Sequence, residues 1–355
     1  MRSELIDMIG EDCRAVVGSR VGQLEALRGG CLLVTGGTGF VGTWLAELIA
    51  YLNDRHGFGT QLMLLSSRAH NFRAKAPHLA VRDDIALLER DVRGLFEIPA
   101  EVEWVIHAAG SPDHRLHTSD PVRTIAVIVQ GTEAVLASAT RLPRLRKVLN
   151  VSSGLVYGPQ PWDLPAMSEE YRGAVDSSAV GSAYAEAKRL AETLCAAYRN
   201  QHRLPIVNAR PFAFIGPYQL LDRPWAVNNF IRDGLLGGPI RIQGDGETVR
   251  SYLYPSDMAW WLLRILLDGK TGANYNVGSP EAVTLLSLAQ RISELLPTRP
   301  DVLTRQAREG APRNTFVPDV TLARQELGLS ASVDLDTALR RTLAWNRTPI
   351  GKARS

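Results

Sequence analysis

A glycine-rich stretch near the N-terminus constrains the fold of this chain more than any other feature of its sequence. The stretch Cys31–Gly42, CLLVTGGTGFVG, joins a short apolar run to residues whose apolar positions recur at helical spacing. A strand, a glycine turn and a helix in this order form the context in which a turn binds phosphate. Because Gly36 and Gly39 carry no Cβ, their backbone can approach a pyrophosphate at the helix N-terminus. Gly42 would let the helix lie close to the sheet, so the sequence predicts a dinucleotide-binding unit that begins at residue 31.

The composition narrows the class of protein. The chain has 355 residues, of which 45% are hydrophobic and 22% charged, and its formal net charge is +3. This balance suits a globular protein of one or two joined domains and provides no basic arm for nucleic acid. Three widely spaced cysteines form no metal-ligand pattern, and no run of about 18 apolar residues occurs. We therefore expect a cytoplasmic protein that binds neither metal, nucleic acid nor membrane.

A second motif lies in the middle of the chain. Tyr184 and Lys188 are four residues apart in a pattern of helical spacing, so they share one face of a helix. Ser153 stands upstream of them, at the end of a predicted strand. Together with the glycine spacing of the first motif, this set resembles the short-chain dehydrogenase/reductase superfamily, in its extended branch that modifies nucleotide sugars. The matching motifs run from about Val34 to Gly278.

The resemblance implies the fold class and the domain limits. It implies an α/β protein with a doubly wound parallel sheet, a Rossmann fold, and a smaller C-terminal α/β substrate domain. Residues 1–30 precede the first strand and are predicted to form a helical extension. We expect the cofactor domain over 31–210, with strands returning at about 252–278. The substrate domain is expected over 211–251 and 279–355.

The residue types of the second motif suit hydride-transfer chemistry, in which a proton on oxygen must move as the hydride does. A phenol is a weak acid, and a neighbouring ammonium favours its ionised form. Tyr184 is therefore the candidate general acid and base. Lys188 would orient the nicotinamide ribose, and Ser153 would donate a hydrogen bond to the reacting oxygen. The sequence predicts these three residues as catalytic.

The end of the second predicted strand bears on the choice of cofactor. NAD-specific versions of this fold place a carboxylate there to bond the adenosine ribose, whereas this chain has Ser66, Ser67 and Arg68. Because a guanidinium matches phosphate geometry, we expect NADP somewhat ahead of NAD. The resemblance assigns cofactor contacts to the glycine turn, to the strand ends, to the Tyr184 and Lys188 motif, and to a boundary motif at Asn208–Pro217. These residues are Gly36, Gly39, Phe40, Val41, Gly42, Ser67, Arg68, Asp91, Val92, Ala108, Ala109, Gly110, Tyr184, Lys188 and Pro211.

The two residues that follow Ser153 distinguish the reaction classes of the resembled family. Its sugar 4,6-dehydratases carry an Asp-Glu pair there, and its decarboxylating members keep the Glu. This chain has Gly154 and Leu155, neither of which can move a proton. We therefore expect hydride transfer at C4 of a nucleoside-diphosphate sugar, as a 4-epimerase or a 4-ketoreductase. A nucleotide-sugar decarboxylase or dehydratase is the alternative, and a non-catalytic NADP-sensing protein is an alternative of another class.

The resemblance also implies substrate contacts in the second half of the chain. Arg250 is the expected ligand of the substrate diphosphate, since a guanidinium pairs bidentately with phosphate. The strand-turn Gly238–Gly246 would lie beside the nucleotide base. The usual Asn of the boundary motif is Ala213 here, and Asn228 and Asn229 are either its replacement or ordinary exposed residues. The predicted substrate-binding residues are Ser111, Ser153, Asn228, Asn229 and Arg250.

Two positions call for a prediction against the family pattern. His107 ends the fourth predicted strand and could be taken for a catalytic histidine. We expect it to have a structural role instead. Ile128 stands where the family usually has an Asn that bridges a helix and the active site, so details of the proton relay are expected to differ.

Two helical segments predict a homodimer. The segments Asp120–Thr140 and Ser182–Arg199 carry apolar residues on more than one face. In the resembled family these helices pair with their symmetry mates, and isologous dimers are the common soluble assembly. The apolar residues in question are Val135, Leu136, Leu190, Leu194 and Cys195.

Overall fold

Seven parallel strands form the central sheet. The computed structural model of the protein describes residues 2–94, 97–305 and 314–347. Its strands are β1 Cys31–Thr35, β2 Gln61–Ser66, β3 Ile85–Glu89, β4 Trp104–His107, β5 Lys147–Val151, β6 Ile206–Pro211, β7 Ala213–Phe214, β8 Ile240–Arg241, β9 Val249–Arg250, β10 Tyr252–Leu253, β11 Asn274–Val277, β12 Val283–Thr284, β13 Val302–Leu303 and β14 Thr315–Phe316. The sheet follows the order β11-β6-β5-β4-β1-β2-β3. Strand order reverses beside β1, which opens a ligand crevice at the carboxyl ends of β1 and β4.

Helices cover both faces of this sheet. They are α1 Arg2–Val17, α2 Phe40–His56, α3 Phe72–Lys75, α4 Pro77–Ala80, α5 His114–Ser119, α6 Pro121–Ala139, α7 Ala183–His202, α8 Ala226–Leu235, α9 Pro255–Asp268, α10 Leu285–Glu294, α11 Thr321–Leu327 and α12 Leu335–Asn346. Because strand side chains alternate between faces, Leu32 and Val34 join a core with α2 and α9, while Leu33 joins a second core with α6 and α7. The doubly wound fold predicted from the sequence is confirmed.

The later part of the chain adds short strand pairs beyond the carboxyl edge of the sheet. Strand β7 pairs with β10, β8 pairs with β13, and β9 lies between β12 and β14. Helices α8 and α10 pack against each other beside β8. Strand β11 returns to the edge of the central sheet next to β6, whereas β10, at the start of the predicted returning segment, pairs with β7 outside it. The limits of the substrate domain stay a prediction.

The N-terminal extension is helical, as predicted, and it is firmly packed. Helix α1 and a 3-10 helix, Gly18–Leu27, lie against α2 and α9. Asp12 is completely buried, accepts a hydrogen bond from the Tyr254 hydroxyl and pairs with Arg341 of α12. Burial, opposed by these two partners, raises the pKa of Asp12 to about 6. A cavity of about 680 Å³ lies between α1, α2 and α4.

The packing of helix α6 explains its apolar composition. By length and composition alone it could cross a membrane, but 44% of its apolar window is buried inside the protein, against α7 and the sheet. Val135 and Leu136 of α6 and Cys195 of α7 are fully buried. The proposal that these three residues serve a dimer face is therefore wrong, because they form the stripe that contacts the sheet. Leu190 is exposed and Leu194 half-buried.

Candidate active site

The glycine turn fits against the loop that follows β4. Gly36 has φ +66°, and a Cβ there would lie 2.6 Å from the carbonyl oxygen of Ala108. A Cβ on Gly42 would lie 2.1 Å from the Gly37 oxygen, so the glycine lets α2 start directly on the turn. Gly39 caps α2, whose first N–H groups point out of the turn. The turn thus has the shape of a phosphate cradle and fits the diphosphate of a dinucleotide.

The three predicted catalytic residues come together at this edge of the sheet. Ser153 follows β5, and its Oγ accepts a hydrogen bond from the Leu155 N–H at 3.1 Å. Tyr184 stands in the first turn of α7, close enough for the Ser153 side chain to lower the pKa of its phenol. Lys188 lies one turn further on, with Nζ 5.9 Å from the centre of the Tyr184 ring. This arrangement can exchange a proton with a ligand oxygen held next to Ser153.

Burial sets the acidity of the phenol and of the ammonium. It raises the pKa of Tyr184 to about 12, which the hydrogen bond from Ser153 opposes. It lowers the pKa of Lys188 to about 8, which the charge of Glu192 opposes. Lys188 Nζ donates to the Val151 carbonyl at 2.7 Å, and in the described part of the chain no carboxylate lies within ion-pair distance of it. The ammonium is therefore stabilised by a carbonyl dipole and by the more distant charge of Glu192, with no direct ion pair among the described residues.

Ile128 explains part of this dry environment. Its side chain is 1% exposed and belongs to an apolar cluster with Tyr184. A Cβ built on Gly110 would contact both the Ile128 side chain, at 3.3 Å, and Lys188 Nζ, at 3.8 Å. The isoleucine therefore lies where a polar side chain could have solvated the ammonium.

His107 is fixed between two threonines. Its Nδ1 lies 2.7 Å from Thr35 Oγ1, and its Nε2 lies 3.1 Å from Thr132 Oγ1. The Thr132 hydroxyl donates its proton to the Ile128 carbonyl, so Nε2 must be the donor to Thr132, and Nδ1 accepts from Thr35. Burial, assisted by the charge of Lys188, lowers the pKa of His107 to about 3. A neutral imidazole with both nitrogens engaged has the structural role that we expected.

Gly154 stands where an acid would be needed for dehydration, and the space for a side chain there is filled. A Cβ on Gly154 would lie 2.7 Å from Cε2 of Phe212. The Phe212 ring is held by Phe316 at a centroid distance of 4.6 Å and by Tyr157 at 6.2 Å. The glycine is therefore a consequence of packing as well as a missing proton carrier. Leu155 beside it is 43% exposed.

The ends of β2 and β3 carry more cations than free carboxylates. Ser66 Oγ accepts a hydrogen bond from Thr38 Oγ1 at 2.8 Å, which joins the strand end to the glycine turn. Ser67 and Arg68 are exposed, and within residues 2–94, 97–305 and 314–347 the Arg68 guanidinium has no recorded partner. Asp91 lies two residues past β3, where Arg93 pairs with it and lowers its pKa to about 2. Among the described residues, the end of β2 therefore carries the Arg68 cation and no unpaired carboxylate.

The remaining predicted cofactor residues lie in loops at the same edge. Strand β4 ends at His107, so Ala108, Ala109 and Gly110 lie just beyond it, while Pro211 ends β6. Val92 follows β3 and packs against Gly131 of α6, where a Cβ would lie 2.8 Å away. Phe40 and Val41 open α2. The predicted contacts thus share one edge, but their contact with a cofactor stays a prediction.

The predicted substrate residues divide into two groups. The Arg250 guanidinium donates to the carbonyls of Val249 and Asn314, and burial lowers its pKa. Asn229 lines a cavity of about 200 Å³ between the start of α8 and the turn after β8, together with Gln243 and Thr248. Arg250 is half-buried, and among the described residues its guanidinium bonds only to carbonyls, which suits a diphosphate. The small polar cavity suits a flat base.

Ser111 and Asn228 have local partners. Ser111 Oγ accepts a hydrogen bond from the Asp113 N–H at 3.3 Å. Asn228 is 1% exposed, and its Nδ2 donates to the Leu220 carbonyl at 2.9 Å. The described residues provide no partner for Asn228 Oδ1. Neither alternative for Asn228 foresaw a buried residue that holds the loop before α8.

Three features near the site gave no signal in the sequence. The His117 ring stacks on the Tyr184 ring with centroids 4.3 Å apart and an interplanar angle of 12°. Lys75 Nζ donates to the Thr38 and Gly39 carbonyls, and burial lowers its pKa to about 8. Asp113 pairs with Arg115 and with Arg223, which joins the loop after β4 to the segment before α8. Each depends on segments far apart in the chain, which residue spacing does not reveal.

Comparison with known proteins places the chain in a family. The model of the NAD dependent epimerase/dehydratase family matches residues 32–278. The chain belongs to this family. UDP-glucuronic acid decarboxylase 6 of Arabidopsis thaliana is 32% identical over 311 residues, 87% of this chain and 86% of the relative. UDP-glucuronic acid decarboxylase 1 of Xenopus tropicalis is 28% identical over 319 residues, 90% of this chain and 72% of the relative.

Solved structures share the fold. WbmF of Bordetella bronchiseptica, in complex with NAD+, has a TM-score of 0.74 at 23% identity, covering 90% of this chain and 93% of its own. The UDP-glucose 4-epimerase of Thermotoga maritima, with UDP-glucose, has a TM-score of 0.74 at 22% identity, covering 89% and 98%. DesIV of Streptomyces venezuelae, a dTDP-glucose 4,6-dehydratase with NAD bound, has a TM-score of 0.74 at 23% identity, covering 89% and 97%.

These findings confirm the predicted superfamily and extend the functional expectation in one direction. The chain is an enzyme of the short-chain dehydrogenase/reductase type, and its family depends on NAD. The names of the curated relatives favour the decarboxylase alternative over the 4-epimerase or 4-ketoreductase that we placed first. The absence of an acid at Gly154 and Leu155 favours the 4-epimerase or 4-ketoreductase instead.

Proposed function

We propose that the protein oxidises C4 of a nucleoside-diphosphate sugar reversibly, with Tyr184 as general acid and base. The observation that carries this proposal is the grouping of Tyr184, Ser153 and Lys188 beside the glycine turn. The bound nicotinamide cofactor would accept the hydride and return it. Because the charge of Lys188 favours the phenolate, Tyr184 takes the proton of the C4 hydroxyl as the hydride leaves. The Ser153 hydroxyl donates to the oxygen on which charge develops.

The substrate proposal rests on the second half of the chain. Arg250 is a cation held between carbonyls with no acidic partner among the described residues, so a diphosphate would complete its hydrogen bonding. The cavity lined by Asn229 and Gln243 would take the base. A nucleoside diphosphate that joins these two points leaves its sugar to reach Tyr184.

Two products are compatible with oxidation at C4, and each has an observation in its favour. The relatives favour decarboxylation of a nucleotide uronic acid. Once C4 is a ketone, the C6 carboxylate is β to it; the C5–C6 bond breaks, CO2 leaves, and the bonding electrons stay on C5 as an enolate that takes a proton from water. Loss of CO2 itself requires no protein base, and the hydride then returns to C4. The replacement of the acids by Gly154 and Leu155 favours instead the return of hydride to the ketone, as a 4-epimerase or 4-ketoreductase. Dehydration needs proton removal at C5 and is the least compatible outcome.

One experiment separates these products. The full chain is incubated with NAD+ or NADP+ and either UDP-glucuronic acid, UDP-glucose or UDP-galactose, and products are followed by NMR together with released CO2. We expect C4 oxidation in every productive case. Release of CO2 with formation of a pentose supports the decarboxylase, whereas interconversion of C4 epimers supports the epimerase. A 4-keto-6-deoxy sugar would contradict the argument from Gly154 and Leu155, and no reaction with any nucleotide sugar would contradict the proposal as a whole.

We further propose a preference for NADP over NAD, on the basis of Arg68. A carboxylate at the end of β2 would repel a 2′-phosphate, whereas charge-assisted bonds to Arg68 contribute about 1.5 to 3 kcal/mol, or roughly ten- to hundredfold in affinity. Calorimetric titration should therefore show tighter binding of NADPH than of NADH. The variant R68A should remove most of the difference, and R73A, an exposed arginine of α3, is the matched control. Equal affinities in the unmodified protein would contradict the preference.

We also propose that the protein is a homodimer that pairs through α6 and α7. Their outer faces expose Val122 (77%), Ile125 (42%) and Leu190 (46%), and an apolar stripe on two adjacent helices suits an isologous contact. Light scattering at micromolar concentration should give the mass of two chains. The variant L190E should shift the mass toward one chain, while L236E, at the exposed end of α8, should not. A monomeric unmodified protein would refute the proposal.

A further inference from the structure

His117 is packed on the face of the candidate acid and base. Its helix, α5, contacts the start of α7, and the two aromatic planes are nearly parallel at 12° with centroids 4.3 Å apart. The imidazole is buried, with 4% of the residue exposed. Its Nε2 lies 2.8 Å from the Ser111 carbonyl oxygen, and because a carbonyl only accepts, Nε2 carries the proton. The plane of the imidazole is thus fixed by the loop after β4.

Burial favours the neutral form of His117. Burial lowers its pKa, while the Ser111 carbonyl and Asp113 raise it and His114 lowers it. From α7 the ring meets Tyr184, and the 3-10 helix Val180–Ser182 contains no titratable side chain. The charge of Arg123, on the neighbouring α6, lowers the pKa of Asp91. A neutral ring in this position acts on Tyr184 through contact and through exclusion of water.

We propose that His117 is a positioning residue that fixes the plane of the Tyr184 phenol and keeps water from its ring, so that the hydroxyl stays directed at Ser153. Offset-stacked aromatic rings gain free energy beyond the area that they bury, so the contact restricts rotation of the phenol. A misplacement of reacting groups by about 1 Å can cost on the order of a hundredfold in rate. The inference rests on the proposed role of Tyr184 as the general acid and base.

A titration without substrate tests the contact directly. The ultraviolet absorbance of tyrosinate is followed against pH in the full chain and in Y184F, and the difference isolates Tyr184. Because burial is the main reason for the raised pKa of Tyr184, H117A should lower that pKa toward 10, the ordinary value. H117F, which can still stack, should keep it high, and H114A on the exposed side of α5 is the matched control. An unchanged Tyr184 titration in H117A would overturn the proposal.

Turnover of the nucleotide sugar that proves active gives the second test. H117A should lower kcat roughly tenfold or more with little change in KM, since His117 does not line the cavity beside Asn229 that is proposed to hold the base. H117F should restore most of the lost kcat. In a Y184F background H117A should have no further effect on the residual rate, because the two changes act through one group. Equal losses in H117A and H117F, or an undiminished effect in the Y184F background, would overturn the proposal.

The two tests also separate this inference from the proposed function. If no nucleotide sugar reacts but H117A still lowers the pKa of Tyr184, the proposed function fails and the positioning contact stands. If turnover occurs and H117A changes neither the titration nor kcat, the positioning role fails alone.

Discussion

Helix α7 borders two buried clusters that each contain a tyrosine and a cation. One is the active-site pair, Tyr184 and Lys188. The other is Tyr157 and Arg210, where the guanidinium forms two bonds to Glu192, at 3.0 and 2.7 Å, and a third to the Tyr157 hydroxyl at 2.9 Å. Both phenols are buried, and the pKa of each is raised to about 12. The clusters therefore differ in the state of their cations.

The difference between the two cations shows how the site is distinguished from the scaffold. Burial alone would lower the pKa of Arg210, but its bonds and charge contacts with Glu192 and Tyr157 raise it above the ordinary value. Lys188 has only a carbonyl partner, and its pKa is lowered. Glu192 neutralises Arg210 through two direct bonds but reaches Lys188 only at longer range, so Lys188 keeps more of its field for a ligand oxygen beside it. The cation that lacks a directly bonded carboxylate is the one that lies beside the candidate general acid and base.

Removal of the shared carboxylate should have the largest effect. In E192Q, the buried Arg210 loses its ion-pair partner, and breaking such a pair costs about 3 to 5 kcal/mol. Thermal or denaturant unfolding should show this loss of stability. Because Glu192 also raises the pKa of Lys188, the alkaline limit of activity should move to lower pH in the same variant. A variant that kept full stability would show that the paired cluster is not structural. E186Q, a carboxylate on the exposed surface of α7, is the control.

A second pair of variants compares the two phenols. Y184F removes the proton donor and should cost roughly a hundredfold or more in turnover while cofactor binding persists. Y157F removes a hydroxyl that donates to Asn276 at 2.7 Å, so it should cost about 1 kcal/mol of stability and leave the remaining folded enzyme active. Steady-state rates and unfolding curves of both variants check this division. Near-full activity in Y184F would make the assignment of the site wrong.

The smallest expected effect concerns the environment of Lys188. Activity that needs the ammonium should fall as pH rises through about 8. I128N places a polar group beside the ammonium, which should raise the pKa of Lys188 and move this limb to higher pH, while I128L should not. Rate profiles against pH measure the shift. An identical limb in I128N would mean that Ile128 does not set the acidity of Lys188.

Stability provides an independent check on the sign of this effect. The pKa of Lys188 is lowered from 10.5 to about 8 in the folded protein, so between these values the unfolded chain binds more protons. The contribution of Lys188 to stability therefore increases as pH rises through that window. Activity and this part of the stability should move in opposite directions, which distinguishes loss of the ammonium from unfolding.

The sequence could predict what depends on local order. The strand, glycine turn and helix at Cys31–Gly42, and the helix that carries Tyr184 and Lys188, follow from spacing, because residues one turn apart share a face. Strand ends were less certain, since β3 stops at Glu89, short of Asp91. The sequence therefore predicts which residues approach one edge of the sheet more reliably than where each strand stops.

What depends on distant segments could not be predicted. The faces of Val135 and Cys195 were misjudged because an apolar stripe does not say whether a sheet or a second chain covers it. The stacking of His117 required α5 to meet α7, and nothing in the spacing of the histidines indicates that contact. The reaction product could not be predicted for a related reason, because the absence of an acid disfavours some reactions without identifying the one that occurs.

The contact between Gly154 and Phe212 has a consequence for how this enzyme could change during evolution or in the laboratory. A glycine-to-aspartate change introduces a Cβ 2.7 Å from the aromatic ring, so an acid at this position requires the ring to move. Shrinking Phe212 first opens the space but leaves a hole among Phe316 and Tyr157, and such truncations cost about 3 to 5 kcal/mol. Neither single substitution is a neutral intermediate, so a screen of single variants would disfavour an acid at position 154. New chemistry at this position requires paired libraries of residues 154 and 212, or a stabilised parent in which the aromatic ring can be lost first.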